Sequence, residues 1–526
     1  MRAQRKAPRK SLGLSASLVF IATLVSRLSG FAREIVMAAF FGTSMFTDAW
    51  LMASALPNLL FSTLNGAISV TVVPLMTAAD AEHSPRSIAR FLNEVFTVVF
   101  LAALGLTLLG EIFAPVIIHI MAPGFDHHPE ELRLTINMTR IMIPTIFFWG
   151  VAGLAAGILQ AREEYFTPAV SPVAINLVRV ITIVVLGHYL FGIQGVALGF
   201  SLAVISQLLV LLPRLRAMGI HLHFRWHFSH PLLKQMARMA GPFFLTSSVG
   251  SIGILVDRIL ASELGVGSIA ALNYSYVLVQ IPVGLLVSSL AMPIYTRLSQ
   301  HNSYREMETF RELAMQGFRL VLAIIVPITL WFIVLRVPIL RLLYQHGVFN
   351  GRSTDLTAGT LLYFSVGLPG FGLSYYLQRL FFASRDTKSP ARFSIITILT
   401  NIVGDLILVH FMQADGLALA TGLASWVNAT LLALKALKPR SQRNLAFTRT
   451  FVTLVVSGAL TLFMTLALRH AFHLLTLSGI IPLFFALAFT AIVSGILYFA
   501  CLSYFRYPEV GVLLSRLTRG RYLPRR

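Results

Sequence analysis

A single cysteine in 526 residues, Cys501, excludes an intrachain disulfide and any cysteine-based metal cluster. Charge is scarce as well: 12% of the residues are charged, where a soluble domain typically carries about 25%. Acidic residues are the scarcest of these, 21 against 42 Lys and Arg, which leaves a net charge of +21. There is no GxxxxGK[ST] stretch and no nucleophile–base constellation, so P-loop hydrolysis and an enzyme reading are both set aside. The period-two alternation of a membrane barrel is also missing. What fills the chain instead is apolar: 56% hydrophobic residues, in runs of membrane-spanning length from residue 14 to residue 505. In lipid the backbone must satisfy its own hydrogen bonds, so these runs are helices and the fold is an all-α polytopic membrane protein.

Polar and Gly/Pro breaks separate fourteen expected spans, at 14–41, 44–78, 88–122, 131–160, 167–190, 193–217, 232–263, 267–298, 305–345, 354–383, 389–412, 415–437, 447–470 and 478–505. Basic residues gather in the connections after even-numbered spans: Arg86 and Arg90; Arg162; Arg214, Arg216 and Arg225; Arg297 and Arg305; Arg385, Lys388 and Arg392; Lys435, Lys438, Arg440 and Arg443. The other connections are poor in them. This places the basic connections and both basic termini in the cytoplasm, and distributes the net charge in a way that speaks against nucleic-acid binding. The basic start, with Arg2, Arg5, Lys6, Arg9 and Lys10, leads into a retained first helix, since no small-residue cleavage site follows.

An internal repeat organises the chain. Ser26, Arg33, Gly42 and Pro57 recur as Ser251, Arg258, Gly267 and Pro282, each displaced by 225 residues. The offset pairs span 1 with span 7 and span 2 with span 8, which predicts two parallel six-helix lobes, one known construction for alternating-access transporters. The expected domains are a cytoplasmic N-terminus 1–13, an N-lobe 14–217, a linker 218–231, a C-lobe 232–437, a cytoplasmic loop 438–446, two further helices 447–505 and a cytoplasmic C-terminus 506–526.

Within this greasy framework sit charges at membrane depth, each costing about 2.5–3.5 kcal/mol on insertion scales. Span 1 carries Arg27, Arg33 and Glu34; span 2 carries Asp48; span 5, Arg179; span 7, Asp257 and Arg258; span 11, Asp405. One reading makes them helix-joining pairs: Arg33 with Glu34 or Asp48, and Arg258 with Asp257. The other uses the repeat, which sets Arg33 and Arg258 facing one another in a cavity. A planar guanidinium fork matches phosphate oxygens, so a cavity with Arg27, Arg33 and Arg258 suits a phosphate or pyrophosphate headgroup. His221, His223, His227 and His230 read as solvated histidines of the 218–231 linker near lipid phosphates, and residues 126–131 as an exposed turn.

The stretches SRLSGFARE, FGTSMFTDAW, LPNLL, MAPGF, LYQHGVF and FFASRDTKSP, in this order over nearly the whole chain, resemble the MurJ (MviN) family of lipid II flippases, of the multidrug/oligosaccharidyl-lipid/polysaccharide exporter superfamily. The resemblance implies movement of an undecaprenyl-pyrophosphate-linked peptidoglycan precursor from the inner to the outer leaflet of the bacterial inner membrane, for cell-wall synthesis, by two lobes around a cationic cavity. It implies a lipid-tail groove at 447–505, and lipid II, membrane lipids and cell-wall synthesis proteins as partners. It carries function onto Arg27, Arg33 and Asp48, with Glu34 where relatives often have Asp, and leaves Arg179 and Arg258 to supplement them. No cofactor is required, but some relatives bind sodium, and the matching residues are Asp257, Asn401, Asp405 and Thr421. The sequence departs from the family at Phe61, Ser62 and Val277, where basic residues are common, and carries Gln280 where some relatives have Glu. A flippase for another polyprenyl-pyrophosphate-linked oligosaccharide and a non-transporting cell-wall scaffold are the alternatives.

Overall fold

The computed structural model describes residues 12–82, 84–289, 306–384, 386–437 and 444–509, and the regular elements among them are all helical. The basic terminus before residue 12, Arg297, Arg305, Arg385, Lys438, Arg440, Arg443 and residues 510–526 lie outside the described residues, as does the side chain of Ser251. Twelve helical stretches among the described residues are long and apolar enough to cross a membrane. The two expected spans outside these twelve are the first and the seventh, the helices that hold Arg27, Arg33, Glu34, Asp257 and Arg258.

Contacts divide the chain into two compact units, Met1–Ala270 and Ala271–Arg526. The first holds α1 (Leu12–Phe41), α2 (Met45–Ala53), α3 (Ala55–Glu82), α4 (Pro85–Met121), α5 (Pro129–Met142), α6 (Thr145–Ala161), α7 (Phe166–Thr182), α8 (Gly192–Ala217) and α9 (Pro231–Ser262). It also holds the first turn of α10 (Ser268–Pro282). In this unit α1 packs on α7, and α3 packs on α6 and α9. Ile68, Phe91, Val95, Leu154, Ile158 and Leu211 form part of a core from which water is excluded.

The second unit contains α11 (Glu306–Val334), α12 (Arg336–Leu343), α13 (Gly351–Ala383), α14 (Lys388–Met412), α15 (Ala414–Leu437), α16 (Asn444–Ala471) and α17 (Ile480–Tyr504). Lipid chains are as apolar as leucine, so close backbone approach has to bind these helices together. At the α13–α15 crossing a Cβ on Gly367 would lie 2.4 Å from the Cα of Gly422. Ser425 seals that contact by donating its hydroxyl to the Gly367 carbonyl at 3.0 Å.

Three expected spans are broken helices. The stretch 44–78 divides at Ser54, because Pro57 has no N–H to continue the ladder. The stretch 131–160 divides at Ile143–Pro144 for the same reason, and 305–345 divides at Leu335 (φ −102°, ψ 14°). There the Arg336 guanidinium donates to the Ile333 carbonyl at 2.7 Å, replacing a lost ladder bond. Two repeat positions behave alike: Gly42 (φ +58°) ends α1 and Gly267 (φ +94°) follows α9, both in the left-handed region that favours glycine.

Candidate functional site

The charges of α1 meet those of α7. Glu34 is buried and accepts from Arg33 Nη2 at 2.5 Å. Arg33 Nη1 donates to Asn176 Oδ1 at 3.2 Å, and the Asn176 amide in turn donates to the Ser26 carbonyl and the Ser29 hydroxyl, each at 3.1 Å. One turn further along α7 lies Arg179, buried, with its guanidinium 4.0 Å from the centre of the Phe200 ring. It stands in the field of both Arg33 and Glu34, and its Nε has no hydrogen-bond acceptor. Two guanidiniums therefore stand near one carboxylate, which is hydrogen-bonded to Arg33, and positive charge is in surplus there. Arg27 is exposed and lies outside these hydrogen bonds.

Asp48 takes neither arginine. Its buried carboxylate accepts from Gly267 N–H at 2.5 Å and Ala270 N–H at 2.7 Å, capping α10 from another helix. The positive end of the α10 dipole and two otherwise orphaned amides compensate the charge. The tightness of this turn is set by glycine: a Cβ on Gly267 would fall 2.6 Å from the Thr43 carbonyl. Arg258, beside Asp257 on α9, reaches back to α2 and donates to the Leu51 carbonyl at 2.8 Å. Of the pairings open to Arg33, the structure takes Glu34; Arg258 has partners separate from those of Arg33.

In the second unit Asn401 donates to Asp405 Oδ2 at 2.6 Å, one turn apart on α14, and Asp405 is completely buried. Helices α14 and α15 approach closely here: a Cβ on Gly404 would lie 3.0 Å from that of Ala420, next to Thr421. The Thr421 hydroxyl donates to the Leu417 carbonyl at 3.0 Å. Carboxylate, amide and hydroxyl oxygens are the donor chemistry of a hard cation. Asp257, the fourth residue of the expected sodium set, belongs to the first unit.

Several polar residues escaped the sequence reading. Asn176 carries no local signal, being 143 residues from the arginine it orients. Glu94 is fully buried beneath the 218–231 linker. His230 is not a solvated histidine: it is buried, caps α9, and its Nε2 lies 3.0 Å from the Ser87 hydroxyl. Glu131 likewise leaves the expected exposed turn, because it sits in the first turn of α5 and is buried. Phe61 stacks on Trp149 with ring centres 4.4 Å apart, and Gln280 donates to the Tyr276 hydroxyl at 2.5 Å.

Twelve apolar spanning stretches among the described residues, in two helical units, define a polytopic membrane protein. In fold alone the chain is similar to an inward-facing multidrug resistance MATE family transporter, at 14% identity and a TM-score of 0.62, over 80% of this chain and 97% of that one. A structure of the lipid II flippase MurJ in an inward closed conformation is more similar, at 26% identity and a TM-score of 0.79, covering 93% and 99% of the two chains. Among curated relatives, the probable lipid II flippase MurJ of Buchnera aphidicola subsp. Acyrthosiphon pisum is 32% identical over 422 residues, 79% of this chain and 82% of the relative. The family model described as lipid II flippase MurJ matches residues 37–490, and the chain belongs to that family.

Proposed function

We propose that the protein is a lipid II flippase, moving the undecaprenyl-pyrophosphate-linked precursor from the inner to the outer leaflet of a bacterial inner membrane by alternating access. The observation that carries this reading, in a chain of this family, is the surplus of positive charge formed by the part-buried Arg33 and the buried Arg179 near the single carboxylate of Glu34. A pyrophosphate supplies the anionic oxygens that Arg179 lacks, and a low-dielectric surrounding strengthens the attraction. Arg33 is held in place by Asn176 and Glu34, so its fork is oriented before substrate arrives. Arg27 and Arg258 extend the cationic surface on α1 and α9. Both termini face the cytoplasm.

No covalent step is needed. Asp48 and Arg258 join α2 to the α9–α10 turn, and a rearrangement that parts them breaks the charged hydrogen bonds of both residues. Each is worth about 1.5–3 kcal/mol, a closure strong enough to hold and weak enough for ligand binding to offset. Sodium, held by Asn401, Asp405 and Thr421, contributes driving force together with the membrane potential, about 2.3 kcal/mol per charge per 100 mV.

The test is purified protein in vesicles offered lipid II or a polyprenyl-pyrophosphate carrying a different sugar, with leaflet exposure followed with and without a sodium gradient. Lipid II is expected to cross, faster with the gradient. Movement of the second lipid alone overturns the substrate, and movement of neither favours a scaffold.

A further inference from the structure

The linker between α8 and α9 is not a loose connection. His223 N–H donates to Asn93 Oδ1, Arg225 N–H to the Thr97 hydroxyl, and His230 N–H to Glu94 Oε2, each at 2.9 Å. Arg90 bonds both Glu94, at 3.1 Å, and the Ser229 hydroxyl. Ile220 and Leu222 pack on the core beneath. The segment thus climbs α4 from the level of Asn93 to that of Thr97 and returns to Ser87, a fixed strap with its apex at residues 224–228.

That apex is aromatic and uncovered: Phe224, Trp226 and Phe228 are 51%, 68% and 47% exposed. Phe224 joins a ladder of rings on the helix exterior, 5.3 Å from Phe96 and 4.7 Å from Phe100, which meets Phe147 edge-on at 4.7 Å. The apex has a definite depth. Helix α4 has 37 residues, about 55 Å, whereas the hydrocarbon core is about 30 Å thick, so roughly 25 Å of it projects. Its apolar run starts after Thr97, with Glu111 as the one acidic residue, and so the ladder marks the membrane boundary. No Asp or Glu occurs from Arg214 to His230, and among the described residues the exposed Arg216, Lys234 and Arg238 have no ion-pair partner.

We propose that this strap is an interfacial anchor: Trp226 and Phe228 seat in the headgroup layer of the facing leaflet, and the surrounding cations bind anionic phospholipid phosphates. Tryptophan at this depth keeps its ring in the apolar boundary and its N–H in the wet one, while clustered basic side chains favour an anionic surface. The rigid hydrogen bonds to α4 hold the rings at that level. This goes beyond the flippase reading and does not depend on it.

The experiment uses the full chain in mixed phosphatidylglycerol–phosphatidylcholine vesicles, taking the Trp226 signal as the fluorescence difference between wild type and Trp226→Phe. Bromines placed high on the acyl chains should quench most of that signal, deep bromines less, and aqueous iodide little. Moving the shallow bromines from phosphatidylcholine to phosphatidylglycerol should increase quenching several-fold. The Asn93→Ala, Glu94→Ala, Thr97→Ala triple variant, which removes the strap's acceptors on α4, should restore iodide access. Quenching of wild-type Trp226 by iodide but not by bromolipid overturns the anchor, and equal quenching from both lipids overturns the anionic preference.

Discussion

Arg179 concentrates the electrostatic argument at the scale of single residues. It is a buried cation that packs on Phe200 and stands in the field of Glu34, the carboxylate that pairs with Arg33. Replacing Glu34 with Gln leaves Arg33 without its carboxylate and removes the negative charge nearby that offsets Arg179. The expected loss is at most about 3 kcal/mol, the lower end for a broken buried pair because Arg33 keeps 20% of its side chain exposed. Thermal unfolding in detergent measures it, with added anionic lipid recovering part of the loss. Asp48→Ala removes two charged bonds to α10, and should lower stability by about 3 kcal/mol or more while leaving α2 helical, an outcome circular dichroism and melting read together. The Arg33–Glu34 pair was legible, since adjacent opposite charges in an apolar helix have few other partners. The capping of α10 by Asp48 was not legible, because the acceptors' partners are backbone amides 219 and 222 residues away and leave no trace in side-chain identity.

Among the elements, the ends of spans followed from where apolar runs stop, and expected and observed boundaries agree within a few residues for stretches such as 193–217 against Gly192–Ala217. The break at Leu335 was not read from the sequence: Pro338 removes a ladder donor, as Pro57 does three residues after Ser54, and Arg336 recaptures the Ile333 carbonyl. At the α13–α15 crossing, Gly367→Val should force the helices apart and abolish folded yield, whereas Gly351→Ala, which meets nothing within 4 Å, should be tolerated. Outside the spans, two carboxyls tie helix ends. Burial alone pushes Glu164 up, but Arg214 at 2.9 Å together with the Thr167 hydroxyl and N–H holds it below the usual carboxylate range. Asp386 is lowered chiefly by the Ser389 hydroxyl, against a smaller effect of burial, with further help from Ser389 N–H and Lys435. Folded values below the unfolded ones mean stabilisation present above roughly pH 4 and lost as pH falls through the lowered values. Melting between about pH 6 and pH 3 should therefore be steeper for wild type than for a Glu164→Gln, Asp386→Asn double variant.

Taken whole, the molecule joins a repeat visible in sequence to a transport cycle. The glycines at 42 and 267, which the sequence repeat pairs, both take a positive φ, and charges flank them. Composition alone was enough for the all-α membrane fold, because a chain with 12% charged residues has few other ways to satisfy its backbone. The site was legible only as a set of misplaced charges. Which of them share a partner depends on tertiary contacts such as that of Asn176 with α1. The most direct measurement is the rate at which lipid II appears in the opposite leaflet of vesicles containing equal amounts of folded wild-type or Arg179→Gln protein. A cation that holds the pyrophosphate should cost at least roughly tenfold in rate when neutralised, equivalent to about 1.4 kcal/mol. An unchanged rate would contradict the account.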